Sequence, residues 1–205
     1  MGIDCSVVYN PRSFVSSQKS SLTHKQFIAC GNLVEAKGFD LLIDSFRKYA
    51  KMEADWKLVI VGDGPLRSQL EQRVNRYHLE KRIVFIGYVD DVKPFLLNSS
   101  VYLLSSRWEG FPMCVTEAFE MGLPVISYDI PAMIPLMKNN EGIKVKRYEI
   151  NDFSNAMYQL ATKPKLRKQM SENAIQMAET ISIENIGQQW SEKIDALFEK
   201  NRGEP

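Results

Sequence analysis

The chain has 205 residues, with 26 basic and 25 acidic side chains. That length suffices for one large domain with its own core, and the near balance of charge argues against a nucleic-acid module held by bulk electrostatics. Cys5, Cys30 and Cys114 are too few and too scattered for a disulfide framework. They fit a reducing cytosol, with Cys30 and Cys114 read as packing residues in apolar contexts. His24 and His78 lack metal-ligand spacing. No apolar run reaches the length of a membrane span, and no signal-peptide pattern opens the chain.

Residues 1–25 read as irregular: a turn signal at Asn10-Pro11, then a serine-rich stretch from Ser13 to Thr23 expected to be a linker or mobile arm. A chain that begins this way is expected to be a fragment of something longer. Residues 26–200 read as one domain, and 201–205 as a frayed tail. The first strand is Phe27 to Gly31. The loop Gly31-Asn32-Leu33-Val34-Glu35-Ala36-Lys37-Gly38 leads to a helix with Phe39, Leu42, Ile43, Phe46 and Tyr49 at helical spacing. Lys37, at the end of that loop, is placed to reach a phosphate as a mobile point charge; the alternative is an ordinary solvated lysine.

Leu58 to Val61 is apolar without alternation, as a strand buried on both faces should be. Gly62-Asp63-Gly64-Pro65 follows, and then a helix from Leu66 to Tyr77. These glycines permit close backbone approach to a ligand, and equally make a tight turn. Arg67 stands where a dinucleotide fingerprint needs its third glycine. Ile83 to Gly87 reads as a third buried strand, followed by the loop Tyr88 to Asp91 and a short helix from Val92 to Asn98.

Val101 to Ser105 is the fourth strand. Ser106-Arg107-Trp108-Glu109-Gly110-Phe111 is a loop, and 112–122 a helix with Pro112 in its first turn. Glu109 and Glu117 suit the hydroxyls of a polyhydroxylated ligand, and the unpaired N–H groups of a helix start suit anionic oxygens. An acidic helix start with one half-buried glutamate is the plainer alternative. Pro124 to Tyr128 is the fifth strand, Asp129 to Glu141 is irregular, and Ile143 to Lys146 is a short edge strand. Three helices follow, near 153–162, 165–179 and 183–200. The last has Ile183, Ile186, Trp190, Ile194 and Leu197 on one face, which is expected to pack on something.

Strands alternating with helices specify an α/β domain: a Rossmann-like parallel sheet of about six strands, helices on both faces, and further helices at the C-terminus. In such a sheet ligands bind beyond the carboxyl ends of the strands, at a switch in strand order. That rule gathers Gly31 to Gly38, Gly62 to Pro65, Tyr88-Val89 and Ser105 to Thr116 along one edge.

These motifs resemble the C-terminal half of the retaining GT-B glycosyltransferases, the glycosyl transferases group 1 family (family 4), over residues 26 to 198. The resemblance rests on Ser-x-x-Glu-Gly-Phe-Pro-x-x-x-x-Glu-Ala at Ser106 to Ala118, Met121-Gly122-Leu123-Pro124-Val125-Ile126, Gly31-Asn32-Leu33 with Lys37-Gly38, and Val61-Gly62-Asp63-Gly64-Pro65-Leu66. It implies one half of a GT-B fold that binds a nucleotide-diphosphate sugar, a UDP- or GDP-sugar. Glu109 and Lys37 would be the catalytic residues. Glu109 with the N–H groups of Gly110 and Phe111 beside Pro112 would hold the sugar, Lys37 the diphosphate, Glu117 the ribose and Tyr88-Val89 the base, with Gly31, Asn32 and Gly62 lining the donor site. No cofactor or metal is implied, and the chain has no Asp-x-Asp sequence.

The implied reaction is transfer with retention to a polysaccharide, glycolipid or lipopolysaccharide precursor, in the cytoplasm or at the inner face of the membrane. An N-terminal acceptor-binding half would be the partner, and the isolated domain would transfer little or nothing. Two departures weigh on this. Asn32 stands where the family has Arg, with Arg107 a candidate substitute or simply a solvated arginine. Ile130 to Leu136 replaces a glycine-containing turn and an acidic residue. A catalytically silent nucleotide-sugar-binding or scaffold domain, and a nucleotide-sugar epimerase of the same fold, are the alternatives.

Overall fold

The computed structural model describes residues 5–202. Six strands, β1 (Gln26–Cys30), β2 (Lys57–Val61), β3 (Ile83–Gly87), β4 (Val101–Leu104), β5 (Val125–Tyr128) and β6 (Gly142–Val145), form one sheet in the order β3-β2-β1-β4-β5-β6. Every pairing is parallel. The chain runs outward from β1 to β3, returns to β4 beside β1, and then runs outward the other way. The switch in strand order therefore lies between β1 and β4, where this topology opens a crevice beyond the strand ends.

Among the described residues seven α-helices accompany the sheet: α1 (Phe39–Tyr49), α2 (Arg67–Arg76), α3 (Lys93–Leu97), α4 (Met113–Glu120), α5 (Ile150–Thr162), α6 (Pro164–Thr180) and α7 (Ile183–Arg202). The α1 positions at helical spacing, Phe39, Leu42, Ile43, Phe46 and Tyr49, are all buried, and Leu41 is half-buried beside them. Phe27 on β1 meets Tyr49 edge-on at 5.2 Å and Trp56 at 4.6 Å. α1 packs against α2 and α5, and α4 against α6. Burial of these side chains is the main force holding the layers together.

Several expectations are revised by the structure. β3 is an edge strand, and Val84 and Ile86 are exposed on it; a short apolar run looks the same whether it is central or at an edge. Pro112 precedes α4 as its N-cap rather than joining its first turn. The irregular segment after β5 contains a 3-10 turn at Pro131–Met133, with Ile130, Met133 and Leu136 buried. On α7 only Ile186 of the apolar set is buried, while Ile183, Trp190, Ile194 and Leu197 are exposed, so this domain does not itself cover that face. The segment 201–205 is helical through Arg202, and its last three residues lie outside the described residues.

The serine-rich segment before β1 has no regular structure but is not free. Arg12 N–H donates to Ile181 O at 2.8 Å and Ser20 N–H to Met121 O at 2.9 Å, while Phe14 and Leu22 pack on the core.

One glycine fixes how the two central loops meet. Gly38 has φ 63°, and a Cβ there would come 2.1 Å from Ser105 O, a backbone atom that cannot swing away. Gly38→Ala is therefore expected to lower stability by about 3 kcal/mol, combining left-handed strain with the clash. At Gly110 an added Cβ meets nothing within 4 Å, so Gly110→Ala is expected to leave stability unchanged. Urea unfolding midpoints of the two variants check both.

Candidate functional site

The loop after β1 turns at Gly31 and is anchored by Leu33, whose N–H donates to Asp63 O at 2.9 Å and whose carbonyl accepts from Leu66 N–H at 3.0 Å. The loops after β1 and β2 are thus knitted together, and the glycines there have a packing reason: a Cβ on Gly62 would lie 2.0 Å from Gly31 O. Gly62 N–H also donates to Gly87 O at 2.7 Å, linking the end of β2 to that of β3. Just beyond, Tyr88 is 77% exposed, and Val89 is tucked against the core. Asn32 is exposed.

The β1 loop then makes a 3-10 turn, Glu35–Lys37, and is stitched to the β4 loop. Arg107 N–H donates to Ala36 O at 2.8 Å, and Ser105 Oγ to Lys37 O at 2.9 Å. This framing brings Lys37 and Glu109 together across the switch point. Lys37 Nζ donates to both carboxylate oxygens of Glu109 at 2.8 Å, and Ser106 Oγ donates to Oε1 at 2.6 Å. The Glu109 side chain is only 9% exposed and that of Lys37 27%. A carboxylate so placed is oriented by three hydrogen bonds, two of them from an ammonium group. Lys37 is therefore not the ordinary solvated lysine that its position alone allowed.

Arg107 is not solvated either. Its guanidinium grips Asp40 with two hydrogen bonds, 2.9 and 2.7 Å, and also donates to Glu35 O at 2.7 Å. Burial alone would raise the Asp40 pKa, but the Arg107 partner more than offsets it and holds the carboxyl below its ordinary value. Arg107 thus braces the β1 loop against the β4 loop.

Pro112 offers no capping side chain to α4, so the first N–H groups of that helix are left for water or a ligand. Gly110 just before it is open on its Cβ side, and Phe111 stacks on Tyr9 with ring centroids 5.4 Å apart. Glu117 sits one turn into α4. Burial raises its pKa above the usual glutamate value, and the nearby Ser13 hydroxyl partly opposes that.

Beneath these loops the Tyr102 hydroxyl contacts both the N–H and the carbonyl of Cys30 at 3.2 Å. Burial pushes the Cys30 thiol well above its ordinary pKa and that of Cys114 up to about 11. Both are neutral thiols near pH 7, which suits packing rather than nucleophilic chemistry.

The fold gathers Gly31, Asn32, Lys37, Gly62, Glu109, Gly110, Phe111, Pro112 and Glu117 beyond the carboxyl ends of β1, β2 and β4, with Tyr88-Val89 at the end of β3. Sequence reasoning overlooked Ser106, although its spacing of three from Glu109 was a usable sign. Tyr9 and Ser13 were overlooked too, and there no local sign exists, since their partners lie about a hundred residues away. Such a site offers a mobile cation, an oriented carboxylate, free helix N–H groups and a second carboxylate, a set that fits a ligand carrying both hydroxyls and anionic oxygens.

The model of the glycosyl transferases group 1 family matches residues 13–177. An uncharacterized glycosyltransferase of Haemophilus influenzae is 31% identical over 186 residues, covering 89% of this chain and 53% of its own length. The amylovoran biosynthesis glycosyltransferase AmsD of Erwinia amylovora is 30% identical, covering 80% of this chain and 46% of its own length. This chain thus spans about half the length of these two relatives. Among solved structures, the pneumococcal O-GlcNAc transferase GtfA in complex with UDP and GlcNAc superposes with a TM-score of 0.80 at 23% identity, over 91% of this chain and 38% of that one. The lipopolysaccharide outer core galactosyltransferase WaaB superposes with a TM-score of 0.76 at 22% identity, over 95% of this chain and 56% of that one.

Proposed function

The chain belongs to the glycosyl transferases group 1 family, and we propose that it is the donor-binding half of a retaining glycosyltransferase that uses a UDP- or GDP-sugar. The observation that carries this reading is the Lys37–Glu109 pair across the β1/β4 switch point. Lys37 turns from Glu109 to the diphosphate of the donor. As the glycosidic bond breaks, negative charge gathers on that leaving group, so a lysine and a helix start stabilise the transition state more than the ground state. Glu109 and the N–H groups of Gly110 and Phe111 receive the sugar, Glu117 accepts from the ribose hydroxyls, and Tyr88-Val89 lies against the base. The reading needs no metal or cofactor.

The acceptor, a polysaccharide, glycolipid or lipopolysaccharide precursor, binds a further half of the same enzyme, and the work is done in the cytoplasm at the inner face of the membrane. Relatives named for amylovoran and O-antigen biosynthesis support that acceptor class. Among the described residues no helix is long and apolar enough to cross a membrane. A catalytically silent nucleotide-sugar-binding domain is the second reading. It is favoured by Asn32 and by the engagement of Arg107 with Asp40, which together leave the diphosphate without a guanidinium.

Calorimetry of the chain with a panel of nucleotide sugars, without added metal, tests the donor reading. One-to-one binding of a UDP- or GDP-sugar is expected, and binding of none would contradict it. The pH dependence gives a second check. A proton competes with the ribose for the Glu117 carboxylate, so acidification weakens binding. Because burial raises that pKa, nucleotide affinity is expected to fall at a higher pH than an exposed glutamate would dictate. Titrations from neutral pH down toward the ordinary carboxylate range would read the midpoint.

A further inference from the structure

The Lys37–Glu109 pair leaves neither partner free for a ligand in the form seen here. Oε1 of Glu109 accepts from Lys37 Nζ at 2.8 Å and from Ser106 Oγ at 2.6 Å, and Oε2 accepts from Lys37 Nζ at 2.8 Å. An ionised carboxylate offers about four lone-pair sites, so most of its capacity is filled. A sugar hydroxyl that donates to Glu109 has to compete with the ammonium. The lysine also covers a second surface. A Cβ on Gly31 would lie 3.8 Å from Cγ, Cδ and Cε of Lys37, so the stem runs over the face of that glycine where a side chain would stand.

The backbone on both sides of the pair is fixed. Ser105 Oγ donates to Lys37 O at 2.9 Å, Arg107 N–H to Ala36 O at 2.8 Å, and the Arg107 guanidinium to Glu35 O at 2.7 Å. The two loops therefore keep their spacing, and release of Glu109 is a movement of the Lys37 side chain. That side chain is a flexible four-carbon stem and is 27% exposed, whereas Glu109, at 9%, is the enclosed partner.

We propose that this pair is a diphosphate-operated gate on the sugar subsite. The diphosphate of the donor draws the Lys37 ammonium away, and the same movement uncovers Gly31 and frees Glu109 to accept from sugar hydroxyls. The inference rests on the donor-site reading above and adds a rule of selection to it. A free hexose meets a carboxylate that is already filled, and a sugar joined to a diphosphate meets one that has been released. The two parts of the ligand are thus coupled through one side chain with two positions, and the coupling is reciprocal. A sparsely populated open form lowers the apparent affinity for sugar by its population, and the diphosphate removes that penalty.

The test is a nuclear magnetic resonance titration of the isotope-labelled chain with glucose, galactose, mannose and N-acetylglucosamine, read at the Gly110 and Phe111 amides. Each sugar is added alone, with saturating UDP or GDP, whichever binds, and with the matching nucleoside, which carries no phosphate. At least one sugar is expected to bind about tenfold tighter with the nucleoside diphosphate than alone, and to gain nothing from the nucleoside. By reciprocity that sugar tightens the nucleoside diphosphate by the same factor. These comparisons need only the unaltered chain. Lys37→Met keeps an unbranched stem and removes the charge. In it the sugar is expected to bind equally well with and without saturating nucleoside diphosphate, because Glu109 is already free; a direct contact between sugar and phosphate would keep the tenfold gain. Equal sugar affinity of the unaltered chain with and without the nucleoside diphosphate would overturn the inference and leave the donor reading standing. So would a gain retained in Lys37→Met, and so would the failure of every sugar to bind beside the nucleoside diphosphate. If neither UDP nor GDP binds, the donor reading falls and takes this inference with it.

Discussion

Glu117→Ala is expected to weaken binding of the free nucleotide and of the nucleotide sugar by the same factor, about 100-fold. A hydrogen bond to a charged acceptor contributes about 1.5–3 kcal/mol, and a ribose diol offers two of them to one carboxylate. The factor is common to both ligands because the ribose is. Stability provides the control. Burial raises the Glu117 pKa, so its ionised form opposes folding above that pKa, and the alanine variant is expected to be no less stable than the parent at neutral pH. Loss of affinity with stability retained, measured by calorimetry and urea unfolding, would assign Glu117 to the ligand. A loss confined to the nucleotide sugar would assign it to the sugar instead.

Lys37→Ala is expected to act on binding and on folding together. Without the ammonium the diphosphate loses a mobile cation, and nucleotide affinity is expected to drop about 30-fold. Glu109, whose side chain is 9% exposed beside Lys37, simultaneously loses the partner that contacts both its oxygens. The cost is about 2 kcal/mol of stability, less than for a fully enclosed pair because Lys37 keeps a solvent-facing side. Adding Glu109→Gln removes the stranded charge. The double variant is then expected to recover most of the stability and none of the nucleotide affinity. Recovery of affinity in the double variant would mean that Lys37 only neutralises Glu109 and never reaches a phosphate.

The layer architecture was legible because unpatterned apolar strands and the 3.6-residue spacing of Phe39 to Tyr49 report burial directly. The strand-end rule gathers the loops after β1, β2, β3 and β4 along one edge, and the parallel sheet places them there. Strand order itself was not legible: nothing in Ile83 to Gly87 tells an edge from a centre, since both are short and apolar. Of the candidate site, the residue types were legible and their pairing was not. Lys37 and Glu109 lie 72 positions apart, and only the parallel neighbours β1 and β4 bring them to 2.8 Å. Arg107 read as solvated because its partner Asp40 belongs to another loop's helix. The anchoring of the segment before β1 was hidden for a related reason. A serine-rich composition describes how little a segment can bury, whereas Arg12 and Lys19 are fixed by one buried carboxylate a hundred residues away. The exposed face of α7 shows the opposite limit: amphipathic spacing reveals an apolar face but not what covers it.

The central claim is that a nucleoside diphosphate binds beyond β1 and β4, between the Lys37 loop and the start of α4. A nuclear magnetic resonance titration of the isotope-labelled chain with UDP and with GDP maps this residue by residue. The account predicts saturable amide shifts for one of the two ligands, concentrated at Gly31 to Gly38, Tyr88-Val89 and Gly110 to Cys114. Amides unmoved by either ligand, or shifts confined to surfaces away from these strand ends, would contradict it.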